Sequence, residues 1–531
     1  MSRLGPLVRR VSPGRPSKRV FLIAFLFVAT LGTLWAMSSP VFSVPDESAH
    51  AVKAIAQVRG EVIGHERVGS RQLVMDLPDG YSYTPNILCF ATVPERPANC
   101  GSELGDPSGT TWAETQVSAY NPLYYYVVGW PSLLFQGNAG IYAMRIASAL
   151  FSAIFVAWAV QIGFASTRSR WLPAGLAFTV TPMIVYLAGS VNPNGIEVAS
   201  AASFWIGLLA LFDRYGAPAA EPRSRLWYPW IVVVISGVVL ANARALGPLW
   251  VLIVVLLVAA VAGRKQVAAL FRRGFSYWGI AVLAAGGLFS IIWTLSGGSL
   301  SGQAQKSDAP LVGASFLSGA AYMVRMTPQF LQQAIGVFGW QDTYLPGTVY
   351  WLMIAAFVAI VITAVAGLSR RNCLLLVLVS VAAFVVPLLV QAYSAHQTGI
   401  IWQGRYGLFL YIGIPIVAAW LMSGSDALRF EYLRARLVPI TLGLLWVFGV
   451  AAFVFVLRRY VVGTDMPIRA MLTTPAWEPP FGWATLVALF AVVSAGAAVC
   501  LWRMSVVVAR AEDLRSLMAD SEPREGPVEV R

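Results

Sequence analysis

Charge is what this sequence has least of. Of its 531 residues only 12% are Asp, Glu, Lys or Arg, where a soluble domain carries about 25%. The hydrophobic share, 57%, exceeds what one core can use and is gathered in long blocks. Together these exclude a soluble enzyme, a nucleic-acid-binding domain and a disordered chain. What remains is an all-α, multi-pass membrane protein whose partners include membrane lipids and no nucleic acid. Cysteine is scarce too, with four in the chain. Cys89 and Cys100 share one polar loop, and a disulfide between them requires that loop to lie outside the cytoplasm. Cys373 and Cys500 sit at the edge of, or inside, apolar runs. No internal repeat is visible, which weighs against transporters built from duplicated halves. No appended soluble domain is expected, and the polar tail 503–531 reads as disordered.

What is present is a series of apolar runs of bilayer-spanning length. The first, Val20–Ser38, follows a basic tail (1–19) with Arg3, Arg9, Arg10, Arg15, Lys18 and Arg19. Ala36-Met37-Ser38 resembles a signal-peptidase site, but the run is long for a signal peptide, so a retained first helix is expected. Further spans fall near 141–164, 172–189, 196–212, 227–241, 246–262, 276–295, 347–367, 374–393, 405–422, 438–457 and 482–502. That makes twelve crossings within 20–502, with long loops at about 39–140 and 296–346. With both termini cytoplasmic, the tails and inner loops hold 25 of the 38 lysines and arginines. These include Arg168/Arg170, Arg264/Lys265/Arg272/Arg273 and Arg370/Arg371. The first long loop has only Lys53, Arg59, Arg67, Arg71 and Arg96. Basic residues are retained on the cytoplasmic side, so the long loops are expected to face outward from a cell membrane.

The sharpest local feature is Pro45-Asp46-Glu47-Ser48-Ala49-His50. Proline followed by acids starts a helix, and continuation to Gln57 aligns Asp46, His50, Lys53 and Gln57 on one face. Such an amphipathic helix would lie along the outer membrane surface with Asp46, Glu47 and His50 as candidate catalytic groups. The competing reading is that the acids cap the helix and complement its dipole. His50 has no second histidine at ligand spacing, so no metal site is assigned. In Asn121-Pro122-Leu123-Tyr124-Tyr125-Tyr126, adjacent aromatics read as an interfacial belt, or Tyr124 and Tyr125 line a groove for sugar or lipid. Gly339-Trp340-Gln341-Asp342 precedes the eighth span, and Gln403-Gly404-Arg405-Tyr406 begins the tenth. Trp340, Asp342, Gln403 and Tyr406 are groove candidates. Arg405 beside an apolar run either snorkels to the interface or clamps phosphate through its planar fork. Arg244, in Asn242-Ala243-Arg244, is a second phosphate candidate, and Arg145 is expected to pair structurally.

The order Pro-Asp-Glu-x-x-His, Asn-Pro-Leu-Tyr-Tyr, Gly-Trp-Gln-Asp and Gln-Gly-Arg-Tyr resembles the bacterial membrane proteins of domain-of-unknown-function family 2142, from about residue 20 to 460. That family looks like a branch of the C-type glycosyltransferases, which take a sugar from a polyprenyl-phosphate lipid at the outer membrane face. The resemblance implies an acidic residue in the first outer loop, at Asp46, and a glycan or lipid acceptor. It implies proton abstraction by Asp46 and stabilisation of the leaving phosphate by Arg405. Wider relatives carry a further acidic site, often tied to a divalent metal. Here Asn192-Pro193-Asn194 stands there, with Glu197 a turn on, which argues against a metal requirement. The alternatives are a flippase or transporter of lipid-linked precursors and a non-catalytic envelope-assembly protein. A transport path calls for paired charges at mid-span, whereas these charges sit at span ends.

Overall fold

The computed structural model describes residues 16–81, 87–105, 109–216, 223–298, 309–428 and 431–521. The basic residues Arg3, Arg9, Arg10 and Arg15 and the last ten residues lie outside the described part. The chain is a multi-pass helical membrane protein. Among the described residues ten helices are long and apolar enough to cross a bilayer: Lys18–Met37, Gly137–Ala165, Pro193–Tyr215, Ser224–Ala243, Ser276–Ser296, Gly347–Gly367, Arg370–Thr398, Gly404–Ser423, Glu431–Val461 and Trp483–Asp513. An eleventh crossing is Gly247–Ala262 if it is joined to Arg264–Phe271, which bends away by 115°. Two two-stranded ribbons, Val74–Pro78 with Thr110–Glu114 and Val337–Phe338 with Thr343–Tyr344, are the sheet content of the described residues.

The expected crossing at 172–189 is a broken element. It divides into Leu172–Ala177, a 3-10 turn at Phe178–Val180, and Pro182–Ala188. Pro182 has no N–H to continue the helix and holds Thr181 extended, at ψ 156°. The interior of the bundle tolerates the break because Leu172–Ala177 and Pro182–Ala188 are wholly buried. Pro193–Tyr215 is the buried axis of the bundle. By contrast few residues of Ser276–Ser296, Arg370–Thr398 and Trp483–Asp513 are fully buried, as in lipid-facing helices.

The described termini meet at one end of the bundle. Gln161 donates to the Ser17 carbonyl at 3.1 Å, and Arg170 donates to Glu512 at 3.0 Å. The last helix runs to Ser521, so 503–521, expected as disordered tail, is helical. Its acids are drawn in by Arg170, which also pairs with Asp513. The two long loops gather at the opposite end.

At that loop end the first loop is bolted to the helices by a buried ion pair. Arg145 donates to both oxygens of Glu47, at 2.7 and 2.6 Å, and to the carbonyls of Ala36, Ser39 and Pro40. Both side chains are fully buried. Nearby, Cys89 and Cys100 form a disulfide. Arg459 donates to the Phe90, Val93 and Arg96 carbonyls around it and to Asp342 at 2.9 Å. A guanidinium can satisfy several converging carbonyls and one carboxylate in a single plane, and two such arginines give the loops a fixed seat.

Candidate functional site

Helix starts at the loop end aim the polar residues. Asn121 and Asn192 each precede a proline, and each side chain accepts from an N–H two residues on, at Leu123 and Asn194, at 3.1 and 3.0 Å. These are N-caps followed by proline at the first helical position. Asn121 also donates to Asn242 at 2.6 Å, which ties the start of Pro122–Gly129 to the segment carrying Arg244.

Asp46 precedes Glu47–Gln57 but does not cap it. Its backbone is left-handed, with φ 66°, and its side chain makes no cap hydrogen bond. The carboxylate instead receives Arg405 Nη2 at 2.7 Å, across most of the chain's length. Non-glycine residues at positive φ are uncommon; here the strain turns the carboxylate away from its own helix and towards the arginine. Asp46 is about one-third exposed, and Arg405 is buried at 7%. Arg405 therefore does not snorkel; its charge is met by Asp46. Among the described residues its Nε has no partner, and neither has the nearby buried Gln403 Oε1.

Tyr406 joins a second cation to the first. The Arg244 guanidinium stands 4.0 Å from the ring centroid of Tyr406 and that of Arg405 stands 5.3 Å away, both at cation–π range. Arg244 also donates to Asn194 at 3.0 Å and lies 3.9 Å from Glu197. The Tyr120 hydroxyl lies beside it and interacts with it. The result is two acid–arginine pairs that meet at one tyrosine. This juxtaposition joins five candidates, Asp46, Arg244, Arg405, Gln403 and Tyr406. Glu197 and Tyr120 belong to the cluster but were not candidates. Glu197 was visible as an acid one turn past an Asn-Pro start, whereas Tyr120 carried no local signal.

His50 lies behind Asp46, and its Nδ1 is 2.8 Å from the Tyr125 hydroxyl. Burial first, then Arg244 and Arg405, pushes its pKa down to about 3 against the opposing pull of Asp46. It is a neutral imidazole that fixes Tyr125 and the helix. Glu47–Gln57 is not a membrane-surface helix, because all its residues are buried. Its long polar side chains find partners: Glu47 with Arg145, Lys53 with the Val62 carbonyl, and Gln57, through its Nε2, with the Pro122 carbonyl. So satisfied, the helix can be covered on every side.

The remaining candidates separate from the cluster. Glu47, once grouped with the catalytic acids, is consumed by Arg145 and also accepts from the Val191 N–H at 3.0 Å. Tyr124 and Tyr125 are neither a belt nor an open groove: Tyr124 bonds Ser148 at 3.0 Å, Tyr125 bonds His50, and both are buried. Only Tyr126 of the three is exposed. Asp342 is held by Arg459, and Trp340 donates to the Phe42 carbonyl at 3.1 Å. Both therefore brace loops. Among the described residues, Glu61, His65 and Asp76 bring potential metal-ligating atoms within 4.8 Å of one another. Glu61 is already engaged by His65 and by the Asp76 N–H.

None of the curated proteins compared with the chain matches it. The sequence profile of the family described as "Predicted membrane protein (DUF2142)" matches residues 28–413, most of the chain. That range includes Asp46, Arg244 and Arg405 and stops short of the last two spans. The chain belongs to the DUF2142 family of membrane proteins.

Proposed function

We propose that this protein is a glycosyltransferase that moves a sugar from a polyprenyl-phosphate lipid to a glycan or lipid of the cell envelope, at the outer membrane face. The observation that carries this reading is the Asp46–Arg405 pair, a one-third-exposed carboxylate on a buried guanidinium whose Nε is unpartnered among the described residues. A phosphate oxygen arriving at that Nε competes with Asp46 for the fork, and Arg244 across Tyr406 adds a second positive charge. Asp46, released from the pair, accepts the proton of the acceptor hydroxyl. The hydroxyl oxygen bonds to the anomeric carbon, and the bond from that carbon to the phosphate oxygen breaks. The electron pair leaves with the polyprenyl phosphate, between the two arginines. The resemblance of the sequence motifs to those of C-type glycosyltransferases points to the same assignment.

The test is transfer by purified protein of a radiolabelled sugar from polyprenyl phosphate to a crude envelope fraction. Arg405→Lys keeps the charge but loses the fork, so donor binding is expected to fall partway; Arg405→Ala is expected to abolish it. Unchanged donor affinity and turnover in Arg405→Ala would remove the phosphate assignment. A lipid-phosphate flippase would bind the donor and release no transferred sugar.

Outward placement of the loop end is supported by the basic residues of the opposite end and by the Cys89–Cys100 disulfide, which persists in oxidising compartments. With Cys373 and Cys500 replaced by serine, Val68→Cys is expected to react with an impermeant maleimide in intact cells. Lys265→Cys should react only after permeabilisation. The reverse pattern would invert the protein in the membrane.

A further inference from the structure

Within the second long loop lies a helix to which no crossing or site was assigned, Phe316–Gly336. It lies across the bundle end. Near its start, a Cβ placed on Gly319 would be 3.0 Å from Ala395, in the last turns of Arg370–Thr398. At its other end, Gly336 meets Leu345, just before Gly347–Gly367 begins. The helix therefore touches the same ends of two spans. Its inward face is Gly319, Met323, Phe330 and Ala334.

The opposite face is also apolar. Leu317 and Val324 are 76% and 62% exposed, and Ala321 and Pro328 are exposed with them. The spacing of four, three and four residues makes one stripe on a helix. Ser318, Arg325 and Gln329, also exposed, form a separate polar face. Exposed aromatics stand at the span ends it crosses: Tyr393 on one side, Tyr344 and Trp351 on the other. Tyrosine and tryptophan so placed sit at lipid headgroup level. An apolar stripe at that depth, beside a polar face, matches a helix lying in the membrane interface.

We infer that Phe316–Gly336 is an interfacial helix whose stripe of Leu317, Ala321, Val324 and Pro328 is seated in the lipid leaflet, where it sets the depth of the arginine cluster. The coupling is through Gly404, which meets a side chain and a carbonyl of the helix. Gly404 donates its N–H to Gln333 at 2.8 Å, and a Cβ at Gly404 would fall 1.8 Å from the Phe330 carbonyl oxygen. The turn bearing Arg405 is thus held against the helix backbone, and burial of the stripe fixes Arg405 near the lipid phosphates. The seating in lipid stands independently of sugar transfer; the use of that depth to receive a lipid-linked phosphate rests on the reading above.

The experiment uses the full chain with Cys373→Ser and Cys500→Ser, reconstituted in phosphatidylethanolamine–phosphatidylglycerol vesicles. Val324→Cys and Gln329→Cys, about 140° apart around an ideal helix, each carry an environment-sensitive fluorophore. At Val324, quenching by headgroup-proximal doxyl lipid is expected to be strong, and quenching by aqueous iodide several-fold weaker than at Gln329. Equal iodide access at both positions would overturn the proposal, because the stripe would face water. Protection of Val324 from both quenchers would overturn it equally, because protein would cover the stripe. Leu317→Cys gives the same readout if the Val324 variant does not fold. No arm depends on catalysis, so loss of the transferase reading would leave this result standing.

Discussion

Asp46→Asn is expected to lower sugar transfer by about 10²–10⁴-fold, the usual contribution of a general base, while folded protein stays near the wild-type amount. The separation is possible because the Asp46 side chain caps no helix, and an amide oxygen can still accept from Arg405. Asp46→Glu restores a carboxylate one methylene out of place and should recover part of the activity. Measured alongside size-exclusion profiles, transfer by Asp46→Asn equal to that of wild type would falsify the base assignment. Transfer lost only in proportion to folded protein would show a structural role instead.

The adjacent acid should behave in the opposite way. Glu47→Ala leaves the Arg145 guanidinium buried without its counter-charge, and breaking a buried pair from one side costs about 3–5 kcal/mol. The expected result is loss of folded protein or a much lower melting temperature in detergent. Replacing both partners, as Glu47→Leu with Arg145→Met, should recover more stability than either single change predicts, since no charge remains stranded. A Glu47→Ala protein that melts like wild type would show that the pair is not what fastens the first loop. Neighbouring acids thus take different work: one is sealed with Arg145, and the other is left partly open against Arg405.

The small residues at two contacts explain how the cluster is held rigidly enough for either role. Gly404 admits the Phe330 carbonyl, and Gly32 lets the first helix approach Ala149, where a Cβ would come within 2.8 Å. Close backbone approach of this kind is how helices associate in lipid, where tails are as apolar as leucine. The charged groups are consequently fixed by packing where the loops meet the span ends.

Membrane class, helical content and the approximate span positions were legible from hydropathy alone, because a bilayer demands long apolar runs with their backbone bonds satisfied internally. The Pro-Asp-Glu, Asn-Pro and Gln-Gly-Arg-Tyr signals were legible too, since helix starts and charges beside apolar runs are local features. Partnership was not local. Asp46 meets Arg405, Glu47 meets Arg145, and Asp342 meets Arg459 across distant parts of the chain, and hydropathy carries no information about which ends converge. Tertiary structure likewise decided that Glu47–Gln57 is enclosed, because its amphipathic pattern suits a membrane surface until other helices supply partners for its polar face. The break near Pro182 was visible as a proline, but only packing in the bundle interior made a discontinuous, fully buried element stable. Local chemistry named the charged groups; the fold chose their partners, because the energy of a buried charge depends on what stands against it.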